Sequence, residues 1–172
     1  KKVIREIKAR QLWIKILETR VSTGEPYIMF SDTVNKGLPK ELKAKGLKVH
    51  HSNLCSEITL PTNPDRTAVC CLSSVNLEYY DEWKDDTHFI DDLMRMLDNV
   101  LTYFIKHAPA HLWRAVASAK AERSVGLGAM GFHSYLQRKG VGFNSPMSYD
   151  INKNIFKHIY DKALESNFAL GK

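Results

Sequence analysis

Several things are missing from this 172-residue sequence, and each absence removes a class of protein. No apolar run reaches the ~18–20 residues that a membrane-spanning helix requires. The longest apolar helical stretch, near residues 89–105, is interrupted by Asp91, Asp92, Arg95 and Asp98. Cysteine is scarce and odd in number, with Cys55, Cys70 and Cys71 only. With no secretory leader in view, this argues against a secreted disulfide scaffold and sets the expectation of a cytoplasmic protein. The sequence opens Lys1-Lys2-Val3 without an initiator methionine, which reads as a segment of a longer polypeptide. No internal repeat and no low-complexity tract stands out.

What is present is ordinary for a globular fold. Hydrophobic residues make up 44% and charged residues 26%. The net charge of +6 is compatible with an anionic partner, a phosphorylated metabolite or a nucleic acid, and is also common among soluble proteins. Five lysines, Lys36, Lys40, Lys43, Lys45 and Lys48, fall in one stretch. No aromatic residues interleave with them to stack on bases, so a solvated loop is the expected reading.

Periodicity predicts an amphipathic helix over residues 3–20, with Val3, Ile7, Leu12, Ile16 and Leu17 on one face, ended at Thr23-Gly24-Glu25-Pro26. Tyr27 to Phe30 reads as a short buried strand, and residues 31–46 as a long polar excursion. A further strand is expected within 47–61, a turn at Pro61 to Asp65, and a strand within Thr67 to Leu77. Asp85 to His107 is the clearest helix, with Phe89, Leu93, Leu97, Val100, Leu101 and Phe104 as its apolar stripe. Helices follow around Trp113 to Ala121, from Gly131, and from Ser145-Pro146, where Ser is placed to cap and Pro to occupy the first helical position. In the last of these, Ile151, Ile155, Ile159 and Ala163 recur every four residues. A short strand is expected at Ser124 to Ala129. Alternating helices and strands give an α/β class.

Three constellations could carry chemistry. Gly126-Leu127-Gly128-Ala129-Met130-Gly131 fits the G-x-G-x-x-G pattern that cradles a dinucleotide pyrophosphate, with Asp150 about 20 residues on. Only Ser124-Val125 stands before it as strand, so a close-packed turn is the competing reading. His50, His51, Cys55, Glu57, Cys70 and Cys71 are metal-ligand types, but zinc spacings do not occur among them, and no metal is expected. The third is Ser52-Asn53-Leu54-Cys55-Ser56-Glu57-Ile58, followed by Ala68-Val69-Cys70-Cys71-Leu72-Ser73. In an extended backbone Asn53, Cys55 and Glu57 would share a face, joining an amide, a thiol and a carboxylate.

This third constellation resembles the active-site signature of ribonucleotide reductase large subunits, Asn-x-Cys-x-Glu, here Asn53, Cys55 and Glu57. Ala68-Val69-Cys70, continuing through Leu72-Ser73 and Asn76-Leu77, resembles the family strand that carries a redox-active cysteine. Thr23 to Tyr27 and Asp32 to Asn35 resemble the segment leading into the site. Arg123 to Gly131 resembles the family's glycine-rich strand and turn, and Phe156 to Leu170 the helix that follows. The resemblance covers nearly the whole chain in the family's order.

It implies that residues 1–172 are a central part of the catalytic domain, a section of the ten-stranded α/β barrel, with Cys55 on a loop threading its centre. It also implies a chemistry. Cys55 becomes a thiyl radical that takes the 3′ hydrogen of a ribonucleotide. Glu57 is general base, Asn53 holds the ribose hydroxyls, and Leu54 and Ser56 complete the substrate contacts. Cys70, with a partner cysteine outside this chain, supplies the reducing electrons. Leu54 and Ser56 beside the cysteine match the diphosphate-reducing class better than the cobalamin class, which shows Pro-Cys-Gly there. That implies a radical from a metal-containing small subunit, with adenosylcobalamin the less favoured source, and thioredoxin or glutaredoxin as reductant. No cofactor is expected on this segment itself. A homodimer of the full subunit is expected, with no nucleic acid and no membrane as partner. Two readings compete: a dinucleotide-dependent oxidoreductase using Gly126 to Gly131, and a nonenzymatic basic module binding nucleic acid through Lys36 to Lys48.

Overall fold

The structure is a computed structural model and describes residues 5–171. It divides into two compact units, Lys1–Asp65 and Arg66–Lys172.

The first unit is helical and loop-rich. Helix α1 spans Ala9–Thr23 and stops where Gly24 turns left-handed (φ 81°) and donates its N–H to Arg20 O at 2.8 Å. Only glycine adopts that conformation cheaply, so the predicted stop is the real one. Its start is six residues later than expected. Val3 lies outside the described residues, and Ile7 precedes the helix. The expected apolar face is not buried either: Leu12 and Leu17 are exposed, and Ile16 is only half-buried. Tyr27 and Phe30 are exposed in a segment without strand pairing, so the buried strand expected there is absent. The lysine-rich excursion is two short helices, α2 (Ser31–Gly37) and α3 (Lys40–Ala44), with Lys43 Nζ donating to Lys36 O. No strand forms in 47–61. Among the described residues of this unit, Leu38, Val49 and Pro61 are buried.

The second unit has a true core. Strand β1 (Cys71–Asn76) leads through a 3₁₀ turn, Leu77–Tyr79, into the short helix α4 (Tyr80–Trp83) and the long helix α5 (Phe89–His107). Helix α6 (Trp113–Glu122), strand β2 (Val125–Met130), helix α7 (Phe132–Arg138) and helix α8 (Pro146–Leu170) complete it. The strands pair in parallel, Cys71 opposite Val125 through to Asn76 opposite Met130. A parallel pair needs a long crossover, and α4, α5 and α6 supply it. Helix α5 buries Ile90, Met94, Leu97 and Leu101, a stripe at i, i+4, i+7, i+11. Val100, expected in that stripe, is 48% exposed. Ile155 and Ile159 of α8, Tyr135 of α7, and Val75, Leu77 and Trp83 close the core against it. The Ser145 hydroxyl accepts from Ser148 N–H, with Pro146 at the first helical position, as the sequence predicts.

Polar ties fix these elements. Arg123, the left-handed residue ending α6 (φ 46°), donates from Nε to Asp98 Oδ1 at 2.6 Å and from Nη2 to Thr102 Oγ1 at 2.6 Å, fastening α6 to α5. Arg66 pairs with the nearly buried carboxylate of Glu122. The Lys139 and Lys84 ammonium groups beside Asp81 hold its carboxyl down at about 2.

Candidate active site

The segment holding Asn53, Cys55 and Glu57 is not extended. Ser56 N–H donates to Asn53 O at 3.1 Å, closing a β-turn with Leu54 and Cys55 at its two central positions. Ser56 follows in the left-handed region (φ 69°). The turn reverses the chain so that the flanking side chains meet. Asn53 Nδ2 donates to Glu57 Oε1 at 2.6 Å, and Asn53 Oδ1 accepts from Ile58 N–H at 3.0 Å. Asn53 thus spends one amide hydrogen on the carboxylate and its oxygen on the backbone. Strand alternation, expected to group these residues, is absent here. A turn, not strand alternation, brings the amide to the carboxylate, and its tip carries the thiol. Leu54 is 90% exposed at that tip, and Cys55 is exposed beside it.

In the second unit, Cys70 immediately precedes β1 and Cys71 opens it. The two side chains take opposite faces. Residues paired with Val125, Leu127 and Ala129, namely Cys71, Ser73 and Val75, lie on the side packed against the helical core. Cys70 lies on the other side with Leu72. A Cβ built on Gly126 would stand 3.8 Å from Cys70 Sγ and 2.5 Å from Leu72 Cδ2. Both thiols are free and half-buried. Burial pushes both up from the usual thiol range, and the neighbouring Cys71 adds to the shift at Cys70. Each is therefore a protonated thiol at neutral pH.

The glycine pattern has a different purpose from the one its spacing advertises. Gly126 and Gly128 sit inside β2, not in a loop whose N–H groups could cradle phosphate. Gly128 is close to Ser74 Oγ, which a Cβ would meet at 3.2 Å. Gly131 (φ 77°) begins α7 where a Cβ would strike Asn76 Oδ1 at 2.2 Å. These glycines let β2 and the turn into α7 press against β1. Among the described residues, no three His, Cys, Asp or Glu side chains converge on a metal position.

A family model for the ribonucleotide reductase barrel domain matches residues 1–172. The chain belongs to the ribonucleotide reductase family. The large subunit of the ribonucleoside-diphosphate reductase of invertebrate iridescent virus 3 is 53% identical over 171 residues, 99% of this chain and 27% of that protein. The putative large subunit from frog virus 3 (isolate Goorha) is also 53% identical, over 99% of this chain and 30% of its own length. Among solved structures, the Actinobacillus ureae class Id ribonucleotide reductase alpha subunit superposes with a TM-score of 0.87 at 44% identity. It covers 94% of this chain and 31% of the solved chain. The chain therefore spans under a third of the length of these relatives. Its mixture of helices and a parallel strand pair is a fragment of the ribonucleotide reductase barrel.

One polar residue had no role assigned from sequence. Asn35, noted only as part of Asp32 to Asn35, engages the backbone of Val49 on the approach to the Cys55 turn. An asparagine in a polar stretch carries no signal that separates such a role from simple solvation.

Proposed function

We propose that this chain forms the radical-bearing centre of a ribonucleoside-diphosphate reductase large subunit, residues 1–172 being the central part of its barrel domain. The observation that carries the reading is the Asn53–Glu57 hydrogen bond across a turn whose tip is Cys55. It sets a hydroxyl-orienting amide, a carboxylate base and a thiol within one short loop. A thiyl radical on Cys55 removes the 3′ hydrogen of the ribose. Glu57 takes the 3′ hydroxyl proton, and Asn53, with Leu54 and Ser56 beside it, positions the sugar. The C2′–O bond breaks and the oxygen leaves as water. Two thiols, Cys70 and a cysteine outside this chain, give up two electrons and two protons and end as a disulfide, and the 3′ hydrogen returns from Cys55. The exposed turn needs walls that exclude water from the radical, and the remaining two-thirds of the subunit supplies them.

The partners follow from this reading. They are a ribonucleoside diphosphate, a small subunit whose metal centre generates the radical, a second large subunit, and thioredoxin or glutaredoxin as reductant. Among the described residues no helix is long and apolar enough to cross a membrane.

The test uses the full-length large subunit reconstituted with its small subunit and thioredoxin. Cys55→Ser abolishes deoxynucleotide formation while substrate affinity changes little, because the O–H bond of serine is too strong to exchange a radical. Glu57→Gln lowers kcat by roughly 10²-fold or more, the contribution of a positioned base. Turnover retained in Cys55→Ser would overturn the assignment.

A further inference from the structure

We propose that Asn35 is a positioning residue for the radical turn, acting through the backbone of Val49. The inference rests on the role given to Cys55. Asn35 lies in the last turn of α2. Its Nδ2 donates to Val49 O at 2.8 Å, and its Oδ1 accepts from Val49 N–H at 2.9 Å. The same Nδ2 also donates to Ser31 O at 2.9 Å, one helical turn back, which fixes the side chain's own direction. The carboxamide thereby holds both backbone groups of one residue, as a neighbouring strand would, although no strand is present. Val49 is 2% exposed with the amide in place, so its N–H and C=O take their partners from Asn35 rather than from water.

The clamp falls at the base of the loop that matters. Thirteen residues beyond Val49, Thr62 N–H donates to Lys48 O at 3.3 Å, so the loop is closed where it leaves and where it returns. The Cys55 turn hangs between these two points, six residues after Val49 and seven before Thr62. Among the described residues, the hydrogen bonds of the loop between them centre on Asn53. Nothing but an amide can perform this task at position 35. Aspartate has no hydrogen to donate, leucine has neither donor nor acceptor, and serine is too short. A reacting atom misplaced by about 1 Å can lose roughly 10²-fold in rate, so a loosened base acts on chemistry before it acts on substrate affinity.

The experiment uses the full-length subunit with its small subunit and reductant, in the variants Asn35→Leu, Asn35→Asp and Thr62→Pro. The expected result for Asn35→Leu is a fall in kcat of roughly 10- to 100-fold with KM for the nucleoside diphosphate within about threefold. Amide hydrogen exchange should quicken at Val49, Ser56 and Ile58 and stay unchanged across residues 89–107. Asn35→Asp should behave like Asn35→Leu, because it keeps an acceptor for Val49 N–H but turns an oxygen on two carbonyls. Thr62→Pro opens the other end of the same base and should shift exchange at Ser56 and Ile58 in the same direction. Unchanged kcat in a folded Asn35→Leu protein, full activity in Asn35→Asp, or quickened exchange spread equally through residues 89–107 would each overturn the proposal. Failure of the Cys55 role is read separately, from turnover in Cys55→Ser, and leaves the exchange result to decide whether the clamp exists.

Discussion

Cys70 and Cys71 are separated by one peptide bond and by the thickness of the sheet. Adjacent residues of a strand point to opposite faces, and here Cys71 shares its face with Val75 and the helical core while Cys70 stands over Gly126 with Leu72. A disulfide between them is disfavoured. Consecutive Cα atoms lie ~3.8 Å apart, whereas bridged ones usually stand ~4.4–6.8 Å apart. Each must therefore act alone or with a more distant cysteine. In the full enzyme, Cys70→Ser should stop multiple turnovers driven by thioredoxin. Cys71→Thr, a change within the packing, should keep kcat within about threefold because it touches no reacting atom. Steady-state deoxynucleotide assays on the two variants decide it. Loss of turnover in Cys71→Thr with survival of Cys70→Ser would exchange the roles.

At the scale of elements, α5 shows how far a periodic pattern reaches. Its existence, its C-terminal end at His107 and half of its buried stripe are readable from residue spacing. Its start is not, because the Asp86 carboxylate accepts from His88 N–H and holds a turn where the apolar period alone would begin the helix. Nor is the stripe's centre, which tertiary contacts with α8 and β1 place on Ile90, Met94, Leu97 and Leu101 rather than on Val100. Leu101→Ala should lower stability by about 3 kcal/mol, since the side chain is 0% exposed and leaves a cavity. Val100→Ala, at a 48% exposed position, should cost under about 1 kcal/mol. Urea unfolding of the two variants compares them, and equal costs would return Val100 to the stripe. In the same way β1, β2, α6 and α8 are legible within a few residues, because caps, glycines and short apolar runs act locally. In the first unit the helix α1 and its stop at Gly24 are legible, and most of the rest is not. Of the five lysines expected in a loop, Lys36 lies in α2 and Lys40 and Lys43 in α3, and Tyr27 to Phe30, expected as a buried strand, has no strand partner. The Asn53, Cys55 and Glu57 group was found through its motif, while the turn that joins Asn53 to Glu57 depends on Ser56 entering the left-handed region, which serine does not announce.

At the scale of the whole molecule, the second unit carries a sheet that wants more sheet. Among the described residues it has two parallel strands, so each has an outer edge with unpaired backbone groups. Parallel sheets are normally covered on both faces. Here one face meets the helical core, whereas the other shows Leu72 at 55% and Met130 at 56% exposure. Helix α8 buries Ile155 and Ile159 inward and leaves Tyr149, Phe156, Tyr160 and Phe168 outward, three of them about two-thirds exposed. In a closed barrel, further strands would satisfy the edges and neighbouring elements would cover the apolar surface. The relatives are more than three times as long and have the chain to provide both. These 172 residues alone should therefore associate through sheet edges and apolar faces, eluting well above 19.7 kDa in light-scattering chromatography and binding a hydrophobic dye. They should also show no nucleotide reduction, because the proposed chemistry needs a second redox thiol for Cys70, with which adjacent Cys71 is disfavoured as a partner, and a walled pocket around the exposed Cys55. Replacing Phe156 and Phe168 together by lysine should shift the population toward monomer without altering the core, since both side chains point away from it. A monodisperse 19.7 kDa species that excludes the dye, or any deoxynucleotide formed by these residues without other polypeptides, would contradict this account.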